Sequence, residues 1–208
     1  MFNQNALLVI DVQNDFCEGG ALAVNQGSDV VAPINDLMTK FDTIVCSQDW
    51  HPKGHQSFAS SHNNKNPYDV VNMPYGPQVL WPNHCVQGTN GALFHEDLHT
   101  DAAHLIIRKG FRASIDSYSA FFENDHTTVT GLTGYLRERG IESLTLAGLA
   151  LDFCVKFSAL DAAKLGFRVT VVEDACRAID MDGSRAAAID EMRATGVAIV
   201  QSSDLQER

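Results

Sequence analysis

Several things are scarce in this chain of 208 residues, and each scarcity closes a class. No apolar run approaches the roughly 18 residues of a membrane span, so a membrane-spanning helix is excluded. Basic residues are outnumbered: 15 Lys and Arg face 26 Asp and Glu, a formal charge of −11. That balance argues against nucleic acid or an anionic membrane as partner. The five cysteines (17, 46, 85, 154 and 176) form an odd set without a CxxC pair, which predicts free thiols rather than a disulfide framework. The start, "MFNQNALLVIDVQ", lacks the basic stretch and small-residue cleavage site of a secretory signal. Together these features predict a reduced, cytoplasmic protein.

What is present is ordinary globular material, 45% apolar and 20% charged, over a length that suits one domain spanning 1–208. Short apolar runs at 6–12, 42–49, 104–110, 143–149, 168–175 and 196–202 read as buried strands. Segments 28–41, 127–140, 152–166 and 182–196 carry apolar residues at helical spacing, three of them ending on or just before glycine. Alternating strands and helices predict a parallel sheet covered on both faces. Residues 50–103 interrupt this rhythm, with abundant Pro, Gly, Asn and His and no convincing long strand. A stretch of that length inside a compact domain is usually functional.

Ligands of open α/β sheets bind beyond the carboxyl ends of the strands. The first four predicted strands end at, or lead to, Asp11, Asp49, Lys109 and Cys154, so an acid, an acid, a lysine and a thiol meet at one edge. Each alone has a plain explanation, since Asp and Lys are common at strand exits and a free cysteine often fills a buried gap. No histidine follows Cys154 within forty residues. Its activation would fall to the N-terminus of the helix that starts near Asp152, to Asp11 as proton acceptor and to Lys109 as counter-charge. A thiol so placed is a candidate nucleophile, and equally a candidate redox sensor.

A second cluster lies in "QDWHPKGHQSF" and "WPNHC". Asp49 and His51, two residues apart at a strand end, can turn toward one ion, with His84 closing the site from the long segment. One carboxylate and two imidazoles suit Zn, Fe or Mn. His55 is a fourth candidate or a loop residue.

At this point the motifs carry a resemblance. "LLVIDVQNDFCEGGAL", "SQDWHPKGHQSFAS", "LWPNHCVQGTNGA", "IIRKGFRASIDSYSAF" and "LAGLALDFCVKFSALDA" follow one another in an order that resembles the nicotinamidase group of the isochorismatase-like cysteine hydrolases. The resemblance implies a three-layer α/β/α fold with a six-stranded, mainly parallel sheet. It implies a catalytic triad of Asp11, Lys109 and Cys154 and one divalent transition metal (Zn, Fe or Mn) on Asp49, His51 and His84. Ser57 takes a position where relatives sometimes have a further metal-binding histidine, which leaves open a weak or water-mediated contribution and demotes His55. Phe16, Trp81 and Tyr118 would wall the substrate pocket, with Ala150 and Leu151 beside it. A cis peptide would fall between Ala150 and Leu151, aiming the N–H groups of Ala150 and Cys154 at an oxyanion. The implied substrate is nicotinamide, with pyrazinamide fitting the same pocket; the alternative is a carbamoyl or ureido compound. A homo-oligomer is left open.

Overall fold

The structure, a computed structural model, describes residues 4–205. Six strands form one sheet: β1 (Asn5–Ile10), β2 (Ile44–Asp49), β5 (Leu105–Lys109), β6 (Ser143–Leu149), β7 (Arg168–Arg177) and β8 (Ala198–Val200). Each matches a predicted strand, and every pairing in the sheet is parallel, in the order β5-β2-β1-β6-β7-β8. A two-stranded antiparallel hairpin, β3 (Val70–Met73) and β4 (Gly76–Val79), lies within the long segment that reads as strandless in the sequence. Among the described residues no helix is long and apolar enough to cross a membrane.

Alternation along the strands splits the core between two faces. Ala6, Leu8 and Ile10 point to the face covered by α2 (Leu132–Glu138), α3 (Lys156–Lys164) and α4 (Ser184–Ala194), where they pack with Leu136, Ala159 and Met192. Leu7 and Val9 point the other way, toward α1 (Val31–Met38), and join Ile34 and Leu37. The long segment covers the rest of this second face with Trp81, Cys85, Ala92 and Leu98. The layers are therefore α/β/α. Because both faces are covered, β1 from Ala6 and the first half of β2, Ile44 to Cys46, read as continuous apolar runs rather than alternating ones.

The chain leaves β1 toward β2 and β5, then returns to lay β6 on the opposite side of β1. The carboxyl ends of β1 and β6 thus flank the point where strand order reverses, the usual position of a ligand crevice. Gly148 lets the two strands close there. Its φ is +129° and a Cβ would meet Ile10 O at 2.1 Å, a contact only glycine avoids. The cis peptide joins Leu149 to Ala150, one bond earlier than the expected Ala150–Leu151 position. The shift has a local reason: β6 runs through Leu149, and the chain turns on the first bond after it. Leu151 already belongs to the widened helical turn Leu151–Val155 that leads into α3.

Cys46 in β2 and Cys176 in β7 are buried, and burial pushes both thiols from 9.0 up to about 12. Native chains hold these protons where unfolded chains release them, so stability is full below about pH 9 and falls as pH rises toward 12. The slope is at most ~1.4 kcal/mol per pH unit for each thiol. Urea titrations at pH 8 and pH 10 should therefore show a shallower loss of stability in a Cys46→Ala/Cys176→Ala variant than in the wild type. Equal losses would refute this account of the two thiols.

Candidate active site

Adjacent strand ends build the site. β2 and β5 pair Asp49 with Lys109 in register, Asp11 follows β1 with φ +47°, and β6 leads through the cis bond to Cys154. Lys109 Nζ lies 2.8 Å from Asp11 Oδ2, 2.9 Å from Asp49 Oδ1, 2.9 Å from Ser117 O and 3.4 Å from Cys154 Sγ. All of these side chains are buried, so the ammonium survives only because carboxylates surround it. Burial alone would push the lysine's pKa down; the charges of Asp11, Asp49 and Cys154 hold it well above its ordinary value. Burial raises the Asp11 carboxyl against the pull of Lys109. Burial also lifts the Cys154 thiol well above its usual range, Lys109 opposing and Asp11 reinforcing the rise. Ser47 Oγ donates to Asp11 Oδ1 at 2.7 Å and fixes the carboxylate plane.

Asp49 serves two neighbours at once. Its Oδ1 binds Lys109, while Oδ2 faces His51 Nε2 at 3.1 Å and His84 Nε2 at 3.5 Å. Gln13 clamps its backbone, donating from Nε2 to Asp49 O at 2.8 Å and accepting from Asp49 N at 2.7 Å. His51 Nδ1 donates to Gly110 O at 2.9 Å and His84 Nδ1 donates to Pro82 O at 2.8 Å. A carbonyl can only accept, so each Nδ1 carries a proton and both Nε2 atoms face Asp49. Backbone carbonyls behind imidazoles are the usual arrangement at metal-binding histidines. Donor atoms of Asp49, His51 and His84 lie within 4.8 Å of one another. Burial would lower the pKa of His51, yet Asp49 raises it; the potential that favours a proton on Nε2 also favours a cation among these donors. The residues fit a divalent transition ion.

His55 is buried beside this group, its ring centroid 4.4 Å from that of His51. Both of its nitrogens are engaged: Nε2 donates to Ile115 O at 3.2 Å, and Nδ1 accepts from Ser57 Oγ at 2.8 Å. Ser57 and His55 thus satisfy each other. Asp116 brings a carboxylate oxygen within 4.0 Å of His51 Nε2 and, with His51 and His55, forms a second candidate donor group.

The cavity over these residues is lined by Phe16, Leu22, Trp81, Tyr118, Phe153 and Ile179, with Asp49, His84, Asp116, Ala150 and Cys154 at its polar end. Of the expected wall residues, Phe16, Trp81, Tyr118 and Ala150 line this cavity, whereas Leu151 packs in the core on the α2–α4 face. Leu22, Asp116, Phe153 and Ile179 escape the sequence reading. Phe153 alone carried a local signal, as an aromatic residue next to the thiol. The buried Asp152 accepts from the N–H groups of Ile179 and Asp180, at 3.0 and 2.8 Å, and so seats Ile179 at the wall. The free space in this cavity is small, about 20 Å³, room for roughly one water.

A thiol beside a buried lysine and carboxylate, at the carboxyl edge of the sheet in a three-layer α/β/α fold, is an arrangement that suits a cysteine nucleophile. The isochorismatase domain family matches residues 5–204, and the chain belongs to that family. It is 55% identical to the nicotinamidase of Acinetobacter baylyi over 98% of this chain and 95% of that protein. A solved nicotinamidase and pyrazinamidase of Acinetobacter baumanii superposes with a TM-score of 0.96 at 54% identity, covering 98% of each chain. The pyrazinamidase of Pyrococcus horikoshii, solved in complex with zinc, gives 0.76 at 35% identity over 96% of this chain and 99% of that one.

Gly110 tests the metal reading. At φ +64° its Cβ would lie 2.5 Å from His51 Cε1 and 2.8 Å from Nδ1, and its carbonyl is the group that orients this ring. Gly110→Ala should weaken Zn²⁺ binding about 10–100-fold, read by competition with a chromophoric chelator, with the far-UV spectrum unchanged. Undiminished affinity in the folded variant would remove His51 from the ion's ligand set.

Proposed function

We propose that the protein is a nicotinamidase, hydrolysing nicotinamide to nicotinate and ammonia through a thioester on Cys154, and acting likewise on pyrazinamide. The observation that carries this is the single ammonium of Lys109 touching Asp11, Asp49 and Cys154 beside the Asp49–His51–His84 donors. The Acinetobacter relatives support the substrate class. This activity places the protein in cytoplasmic salvage of pyridine nucleotides.

Asp49, His51 and His84 would hold one divalent ion; the donor set suits Zn, Fe and Mn, and the zinc-bound pyrazinamidase supports the first. When bound, that ion supplies a Lewis acid for the pyridine nitrogen. Phe16, Trp81 and Tyr118 hold the ring between aromatic walls and turn the carboxamide carbon toward Cys154. Asp11 takes the thiol proton as sulfur attacks, and the N–H groups of Ala150 and Cys154 receive the oxyanion. Removing one such donor typically costs about 3–4 kcal/mol of barrier. Asp11 then gives its proton to the departing nitrogen, and ammonia leaves. A water molecule next surrenders a proton to Asp11 and attacks the thioester carbon. Breaking the C–S bond returns the proton to sulfur and frees nicotinate. A carboxyl whose pKa burial has raised suits both halves of this exchange, and Lys109 keeps the charge balanced throughout.

Ammonia release from nicotinamide should be robust in the wild type and abolished in Cys154→Ala; full turnover in that variant would exclude the thioester. Chelation that leaves a verified metal-free protein should abolish hydrolysis, restored by adding Zn²⁺, Fe²⁺ or Mn²⁺, and unchanged turnover would exclude a substrate-orienting ion. Asp11→Asn should slow iodoacetamide alkylation of Cys154 at neutral pH by at least tenfold. An unaltered rate would show that another group takes the thiol proton.

A further inference from the structure

The walls of the cavity are held in different ways. Phe16, Leu22, Phe153 and Ile179 meet it through apolar side chains, whereas Trp81, Tyr118 and Asp116 share a network of hydrogen bonds. The hub of that network is Gln78, a residue of the β4 hairpin strand that does not itself line the cavity. Its neighbours on the hairpin are half-buried or exposed, yet Gln78 is fully buried.

The amide is used on both sides. Nε2 lies 2.7 Å from Val79 O, 3.0 Å from Asp116 Oδ2 and 2.8 Å from Tyr118 Oη. Oε1 accepts from Tyr75 Oη at 3.1 Å and from Asn124 Nδ2 at 3.1 Å. The reverse orientation would set Oε1 against a carbonyl and a carboxylate, neither of which can donate, so the network dictates which way the amide points. Trp81 Nε1 donates to the same Tyr118 oxygen at 3.1 Å, and Asn124 Oδ1 accepts from Tyr118 N at 3.0 Å. One amide group therefore ties the hairpin to the loop that carries Asp116 and Tyr118, and through the phenol to Trp81. Buried networks of this kind, fully connected, rigidify what they hold.

We infer that Gln78 is a positioning residue for substrate: its carboxamide fixes Trp81, Tyr118 and Asp116 as the rigid wall against which a planar heteroaromatic ring docks. This rests on the nicotinamidase reading for the identity of the ring. Loss of the amide should act on binding far more than on the thiol chemistry, because Gln78 touches neither Cys154 nor Lys109.

Two variants separate the possibilities. Gln78→Glu keeps the shape but sets a carboxylate against Asp116, and Gln78→Met removes all polar contacts without adding charge. Each is measured for nicotinamide hydrolysis, for nicotinate binding by quenching of tryptophan emission, and for iodoacetamide alkylation of Cys154. In a folded variant, KM for nicotinamide and Kd for nicotinate should rise at least tenfold, with kcat and the alkylation rate within threefold of wild type. Wild-type KM and Kd in either folded variant would overturn the inference, as would a loss confined to kcat. A wild type that neither hydrolyses nicotinamide nor binds nicotinate would instead overturn the nicotinamidase reading.

Discussion

The buried ammonium of Lys109 is the constraint from which the site follows. A charge of this kind has no water to solvate it, and its burial is tolerable only where opposite charge is in contact. Asp11 at 2.8 Å and Asp49 at 2.9 Å supply that charge, and each comes from the end of a different parallel strand. The register of β2 on β5 and of β1 on β2 is thereby tied to the chemistry: a one-residue slip of either would turn a carboxylate away from the cation. Cys154, reached from β6, completes the shell at 3.4 Å.

Asp49 couples the two halves of the site. One oxygen neutralises Lys109 and the other faces two imidazoles, so the ammonium and the imidazole pair share a single carboxylate. Their separation is consequently set by one side chain, which Gln13 holds by both its backbone N–H and its carbonyl. The outer carbonyls of Gly110 and Pro82 then decide which imidazole nitrogens look inward. Such an arrangement uses backbone groups, whose positions belong to the fold, to orient the side chains that do chemistry.

The sheet was legible because parallel strands buried on both faces leave unbroken apolar runs, as in Leu7–Ile10 and Ile44–Cys46. Helices were legible in place but not in length: 28–41 contains α1 only from Val31 to Met38, its start being a 3-10 turn at Gly27–Val30. The β3–β4 hairpin gave no such signal, since its strands are four residues each and, Gln78 apart, half-buried or exposed. The meeting of Asp11, Asp49, Lys109 and Cys154 at one sheet edge could be read from strand ends, whereas their roles, and the demotion of His55, needed the resemblance to known hydrolases. Gln78, Asp116 and Asp152 stayed invisible for a physical reason. Each is a polar residue buried by partners distant in sequence, such as Asp116 on Gln78 and Asp152 on Ile179 and Asp180, and nothing local distinguishes it from a surface residue. The end of β6 at Leu149 was legible from its apolar run, but the position of the cis bond came only with the resemblance, which sets it at Ala150–Leu151 where the structure has Leu149–Ala150.

The central claim is that this lysine-centred cluster makes Cys154 a covalent nucleophile toward a pyridine carboxamide. Rapid acid quenching during a single turnover of nicotinamide, followed by peptide mass spectrometry, tests it most directly. The account predicts a transient nicotinoyl group on the peptide that contains Cys154 and on no other cysteine. Complete conversion to nicotinate with an unmodified Cys154 at every quench time would contradict it.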